Sequence, residues 1–244
     1  MNAYGTQRML EGERYRLSFT VGGLLALQGR TIAELFFATS DQASFESEES
    51  AESNESTEPN TTPEPTAEVG KAICRVRDRA VEGNVLAIRT RAANKRVVSE
   101  VLKRLSALTF QELKYLAGNE ASYEERTALM WVAMCRYYAL VGEFASEVVV
   151  KHFWEGNLTL SHSDYDRYIA LKATWHPELD EISEATNKKL RGNLFKAMGE
   201  AGILDSRSGE IVPYLMNSTM RKLLSARPQS FTYFPLQDRR GAEY

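Results

Sequence analysis

The run Ala128-Leu129-Met130-Trp131-Val132-Ala133-Met134-Cys135 contains no polar residue, and it restricts the fold more than any other stretch of the chain. The surrounding pattern predicts a helix over Thr127–Tyr138. A helix that is apolar all round needs packed neighbours on every side, so this one is expected at the centre of a multi-helix core. It is too short to cross a bilayer, which takes ~20 apolar residues. The longer candidate, Leu17–Ala38, is interrupted by Gln28, Arg30 and Glu34, so no membrane span is expected. Met1–Arg16 lacks the apolar region of a signal peptide, and a cytoplasmic protein is expected.

The elements that would surround this helix are also helical. Leu24–Phe37 follows Gly22-Gly23, a pair read as structural because a phosphate-binding loop needs a preceding strand and further spaced glycines. Lys71–Val85 comes next, then Ala92–Leu108. In the latter, Val97, Val98, Val101, Leu102, Leu105 and Leu108 share an arc of about 140°. Lys95, Arg96, Lys103 and Arg104 are assigned to the opposite, solvent-facing half. Gly142 reads as a break before a helix over Glu143–Trp154. A subdomain boundary is placed near residue 157.

Beyond it, Ser163-Asp164-Tyr165-Asp166 resembles a capping box. Helices are expected over Asp164–Thr174, Glu178–Ser183 and Ala185–Ala201, with Gly202 as C-cap. Ile203-Leu204 and Ile211-Val212 flank a Ser/Gly turn and read as a hairpin, and a last helix covers Ser218–Ser225. Three helices and a hairpin are the order of a winged helix. The expected fold class is therefore all-α: a helical bundle over 17–157, followed by a winged-helix-like unit with one short β-hairpin over 158–235.

Ser40–Gly70 interrupts the first part. It is rich in Ser, Glu, Thr and Asn, carries Pro59, Pro63 and Pro65, and has little to bury, so a disordered insertion over 40–70 is expected. Its nine carboxylates (Asp41, Glu46, Glu48, Glu49, Glu52, Glu55, Glu58, Glu64 and Glu68) have no Lys or Arg among them. Setting them aside moves the chain from −3 to +6, so the remaining residues form a basic protein.

Signals for chemistry are missing. Cys74 and Cys135 read as reduced core thiols. His152, His162 and His176 fall in no zinc-ligand spacing, and His176, between two helices, reads as a packing or capping residue. No nucleophile elbow, Walker A or kinase signature occurs. A non-enzymatic protein without cofactor or metal is expected.

Basic residues carry the positive signal. Lys71–Arg104 holds ten cations against Asp78, Glu82 and Glu100. Arg89 and Arg91 flank the start of the basic helix, where free backbone N–H groups already attract phosphate. Lys188, Lys189 and Lys196 form a second patch, and Arg191 falls inside the apolar arc of the same helix. The candidate nucleic-acid-binding residues are thus Arg75, Arg77, Arg79, Arg89, Arg91, Lys95, Arg96, Lys103, Arg104, Lys188, Lys189 and Lys196. Phosphate contacts do not distinguish DNA from RNA, and a basic face also suits an acidic protein partner.

Four stretches together resemble the BrxA family of BREX phage-exclusion systems. The first is Ser18-Phe19-Thr20-Val21-Gly22-Gly23-Leu24-Leu25 with Ile32-Ala33-Glu34-Leu35. The second runs from Arg89-Thr90-Arg91 to Lys95-Arg96. The third is Trp175-His176-Pro177-Glu178-Leu179, leading into Ile182-Ser183-Glu184 and Lys188-Lys189-Leu190-Arg191. The fourth is Glu200-Ala201-Gly202-Ile203-Leu204. The similarity runs from about Leu17 to Pro235 and departs at Ser40–Gly70, where the family has a shorter connection. It implies a NusB-like bundle with a winged-helix-like part, double-stranded DNA as ligand, and other BREX subunits as partners.

Overall fold

The computed structural model describes residues 14–39 and 66–236. Most of the expected insertion lies outside them. Its last residues belong to a helix, α2 (Thr66–Arg75), where the sequence predicts no regular structure.

The apolar run lies in α6 (Tyr123–Tyr137), where every residue from Thr127 to Cys135 is buried. A capping box starts this helix: Glu125 N–H donates to Ser122 Oγ, and Ser122 N–H donates to Glu125 Oε2 at 2.6 Å. Around it pack α1 (Ala26–Phe37), α4 (Arg91–Leu105), α5 (Phe110–Ala117), α10 (Glu184–Glu200) and a 3₁₀ segment, Pro228–Tyr233. Trp131 shows why the site is fully enclosed: its indole N–H donates to the Tyr233 carbonyl at 2.9 Å, so the one polar atom of the run is satisfied. On α1, Gly29 lets the backbone approach; a Cβ there would lie 2.6 Å from Met130 Sδ.

Helix α5 was not anticipated, although Thr109-Phe110-Gln111-Glu112 is a capping-box pattern and both of its hydrogen bonds form. The break after α6 falls at Tyr138, in extended backbone, and not at Gly142. Gly142 is buried inside α7 (Ala139–Phe144), where a Cβ would meet the Cys135 carbonyl oxygen at 2.7 Å. The glycine is there for closeness. The same helical path continues through a π-helical stretch, Ala145–Val150, into α8 (Lys151–Glu155), and Gly156 ends it at φ 77°. Cys135 is a buried thiol as expected, but Cys74 is exposed on α2, where Ala72 and Ile73 take the inward positions.

Across the expected boundary near 157 the core is shared. Phe144 of α7 packs edge-on against Tyr165 and Tyr168 of α9 (His162–Ala173), within one buried cluster that runs from Tyr15 to Leu236. The capping box of α9 uses Ser161 and Asp164, two residues earlier than predicted: Ser161 N–H donates to Asp164 Oδ2 at 2.7 Å. The helix expected over Glu178–Ser183 is only a 3₁₀ turn, Pro177–Leu179, because Ser183 already serves as the N-cap of α10. Gly202, at φ 72°, follows the end of α10. The hairpin is present as an antiparallel bridge between Leu204 and Ile211, and a third segment joins it through Thr159 and Glu210. Helix α11 (Ser218–Leu224) follows, and Tyr214 bridges to Leu236 near the C-terminal end.

Residues 14–25 run as a strap between the two parts. Tyr15 N–H donates to Glu178 Oε1 at 2.6 Å, and the Tyr15 ring stacks on His176 at 4.0 Å. That stack, with Glu178 beside the imidazole, is the packing role expected of His176.

Candidate nucleic-acid interface

The α4 helix is built to present a basic stripe. Thr90, in extended conformation, caps its start by accepting from Ala93 N–H at 3.3 Å. The loop before it places Asn84 and Ala87 at positive φ, and Asn84 Oδ1 holds Ile88 N–H at 3.1 Å, which fixes the approach of Arg89. Asn94 faces inward and ties α4 to α3 (Arg77–Glu82) by donating to the Val81 carbonyl. Val98, Val101, Leu102 and Leu105 are buried, which leaves Arg91, Lys95 and Arg96 exposed and Lys103 half-exposed along one side.

Arg75 at the end of α2, Arg77 and Arg79 on α3, and Arg89 in the loop are likewise exposed, and α2 and α3 both pack on α4. Among the described residues, no ion pair joins Arg75, Arg77, Arg79, Arg89, Arg91, Lys95 or Arg96 to a carboxylate. Their charge is available to an external anion.

Arg104 is the exception, and its assignment to the solvent face is corrected. Its side chain is 0% exposed and paired with Glu100 at 3.0 Å. Its guanidinium also donates to the carbonyls of Gly23 at 2.6 Å and Leu24 at 3.1 Å. Glu100 completes the group by accepting from Tyr138 Oη at 2.8 Å. The physical reason is angular: Arg104 stands only about 20° beyond Val97, the edge of the apolar arc, and the strap closes over that edge. Tyr138 accordingly has a hydroxyl whose proton is held tightly, by burial first and by the Glu100 charge second. Lys103, one position earlier, keeps to the exposed side but is partly engaged: it donates to Ser18 Oγ at 3.1 Å and stands 3.9 Å from Glu100.

The second patch lies on α10. Lys188 and Lys189 are exposed, and Lys196 is exposed but pairs with Glu200 at 3.7 Å. Arg191, expected in the apolar arc, reaches sideways to Asp166 of α9 with both carboxylate oxygens at 2.6 and 2.7 Å. That pair removes it from a simple recognition surface and anchors α10 to α9.

A further feature had no sequence signal. Where the π-helical stretch faces α9, an open groove of about 710 Å³ is lined by Glu147, Val148, Lys151, His152, Arg167 and Leu171, among others. Leu171 is 57% exposed, and Trp175, one turn further on, is 69% exposed. Among the described residues no cluster of three or more His, Cys, Asp or Glu side chains is arranged to hold a metal ion, and no helix is long and apolar enough to cross a membrane.

A family model described as BrxA matches residues 66–228. A "BREX protein BrxA" of Escherichia coli O9:H4 (strain HS) is 23% identical over 199 residues, which is 81% of this chain and 78% of that protein. Another of the same description, from Bacillus cereus (strain H3081.97), is 24% identical over 144 residues, 58% of this chain and 71% of its own length. The fold is similar to that of an uncharacterized protein from Magnetospirillum magneticum, with a TM-score of 0.65 at 17% identity, over 90% of this chain and 96% of that one.

Proposed function

The chain belongs to the BrxA family, and from that premise we propose that it is a non-catalytic BREX component whose ligand is double-stranded DNA. The observation that carries the reading is the stripe of Arg91, Lys95 and Arg96 on α4, with Arg75, Arg77, Arg79 and Arg89 on the elements packed beside it. Cations already matched with carboxylates gain little from a phosphate. These are unmatched among the described residues, and several at once release the counterions that drive duplex binding. The hairpin and α10 extend the reading toward a winged-helix-like contact, since Lys188 and Lys189 stand on the exposed side of the helix that precedes the hairpin.

The test is a titration of the full chain with duplex DNA, duplex RNA and single strands at two salt concentrations. Duplex DNA should bind most tightly, with affinity falling steeply as salt rises. Replacing Arg91, Lys95 and Arg96 by Gln should weaken binding to all duplex sequences alike and reduce the salt slope by ~0.9 per lost contact. A folded triple variant with unchanged affinity and slope overturns the reading. Preference for RNA would turn it toward an RNA-binding factor.

The groove favours a second reading, in which the protein is an adaptor for other BREX subunits. Leu171 and Trp175 are the kind of apolar anchors that a partner surface covers. The two readings use different faces and are separable: Trp175→Ser should reduce association with a partner and leave DNA binding unchanged.

A further inference from the structure

The two basic patches are distant in sequence, and the strap brings them together. Ser18 and Phe19 are consecutive residues. Ser18 Oγ accepts from Lys103 Nζ of α4 at 3.1 Å, while the Phe19 carbonyl accepts from Asn193 Nδ2 of α10 at 3.0 Å. Five residues on, Leu24 repeats the arrangement. Its carbonyl accepts from Arg104 of α4 at 3.1 Å, and its N–H donates to Glu200 Oε2 of α10 at 2.5 Å. The strap is therefore seated between α4 and α10 and bonded to both at two levels.

The bonded positions also lie on the helix faces that carry the patches. At 100° per residue, Lys189, Asn193, Lys196 and Glu200 fall within roughly 60° of one another on α10. Asn193 and Glu200 hold the strap, and Lys189 and Lys196 stand between and beside them, exposed. On α4, Lys103 lies about 20° from Arg96 and about 80° from Lys95, with Arg91 roughly 40° further round at the start of the helix. The stripe from Arg91 to Lys103 is about 18 Å long, at ~1.5 Å per residue. The crossing from Lys103 through Ser18 and Phe19 to Asn193 adds roughly 10 Å, from two hydrogen bonds and one peptide unit. The two together come to about 28 Å, somewhat less than one turn of duplex, ~34 Å.

We propose that the strap joins the basic faces of α4 and α10 into one track that holds the backbone of a single DNA duplex. Arg91, Lys95, Arg96 and Lys103 grip one part, and Lys188, Lys189 and Lys196 grip the adjoining part. The proposal rests on the duplex-DNA reading above and adds that the two patches share one ligand molecule. Lys103 is the junction: its bond to the exposed Ser18 is exchangeable for one to phosphate. Lys196 likewise trades an exposed pair with Glu200, which costs little to break.

The experiment uses the full chain and a DNA hairpin with a stem of about 12 base pairs, long enough to reach both patches but only just. Stoichiometry is measured by native mass spectrometry. Affinity is measured by anisotropy over about 50 to 200 mM KCl, the range in which counterion release is read. The variants are Arg91→Gln/Lys95→Gln/Arg96→Gln, Lys188→Gln/Lys189→Gln/Lys196→Gln, and the two combined. A shared track gives one hairpin per chain. Each triple variant should lose up to about 100-fold in affinity near 100 mM salt, and the losses in slope should add in the combined variant.

Two hairpins per chain, each lost with one triple variant, would overturn the shared track while leaving DNA binding in place. So would an α10 variant, folded by circular dichroism and melting, whose affinity and slope match those of the unchanged protein. If the unchanged protein binds no duplex at all, the DNA reading fails and the track fails with it.

Discussion

Replacing Arg104 by Gln should unfold this protein several degrees early and should not act as a DNA-binding mutation, although Arg104 lies one residue from the basic stripe. The side chain is wholly buried and joins two elements through three groups: Glu100 on its own helix, and the carbonyls of Gly23 and Leu24 in the strap. Gln is too short to reach the strap and carries no charge, so Glu100 is left buried with only Tyr138 and the more distant Lys103 for company. Breaking a buried pair from one side costs about 3–5 kcal/mol. At ~2–4 °C per kcal/mol for a chain of this size, the melting temperature should drop by about 10 °C. Thermal unfolding followed by circular dichroism measures the drop, and denaturant unfolding the free energy. Adding Glu100→Gln to Arg104→Gln should recover part of the loss, because the orphaned charge is then gone. A single variant within ~1 kcal/mol of the unchanged protein would refute this account, since nothing that loses a buried charged partner is that mild.

Gly142→Ala should destabilise by ~1–3 kcal/mol, because its Cβ would stand 2.7 Å from the Cys135 carbonyl oxygen and a backbone atom must yield; a neutral melt would show that α7 can slide. Stability should fall as the pH drops below about 4.5. Burial alone would raise Glu125 and Glu178, but hydrogen bonds to their carboxylates outweigh it and hold both below the ordinary 4.5. The folded protein thus binds fewer protons than the unfolded chain, and this contribution, complete above that value, is lost as the pH falls through the folded values. Glu178→Gln should make the acid limb shallower in a melting series from about pH 7 to 3. Exchanging Glu46, Glu48, Glu49, Glu52, Glu55, Glu58 and Glu64 for Gln moves the chain from −3 to +4. DNA affinity should rise at about 50 mM salt and converge with the unchanged protein as salt is raised. Equal affinity at low salt would show that the acidic segment is electrically irrelevant to the site.

Periodicity made the core legible. The unbroken apolar run could only be central, and the arc of Val97 to Leu108 put the correct face of α4 inward. Helix ends followed within a residue where a closing glycine was visible, as at Gly202 just beyond the C-cap Ala201, and slipped where an equivalent residue competed, as at Ser163 against Ser161. The error at Gly142 has a different origin. Sequence shows that a glycine is present but not whether it bends the chain or admits a neighbour, and here Cys135 and Tyr233 crowd against it. At the site, the outward placing of Lys95, Arg96 and Lys103 followed from the same arc and that of Arg75, Arg77, Arg79, Arg89 and Arg91 did not, whereas Arg104 at its margin could fall to either side. Only the strap decides that, and its position depends on contacts with Glu178, Glu200 and Asn193 more than a hundred residues away. The groove beside the π-helical stretch is equally a product of tertiary packing.

The fate of Arg104 bears on how this chain separates folding from binding. Arginines serve both purposes, and partner geometry sorts them. Arg104 and Arg136 each face a buried carboxylate together with backbone carbonyls. Arg136 holds Glu112 with two donors, at 2.6 and 2.8 Å, and takes the Ala107 carbonyl at 3.2 Å. A planar fork can satisfy such a set, and a lysine cannot. Among the described residues the cations of the proposed track face no such buried set of acceptors, and both lysine and arginine occur among them. Exchanging Lys95 for Arg, or Arg96 for Lys, should therefore leave both stability and salt slope almost unchanged, because phosphate neutralisation counts charges. Arg136→Lys should destabilise by ~2–4 kcal/mol, since one amine cannot span Glu112, Ala107 and Ser230. If Arg96→Lys instead weakened duplex binding more than tenfold with its slope intact, the residue would be making a directional contact to a base edge. The track would then read sequence as well as hold the backbone.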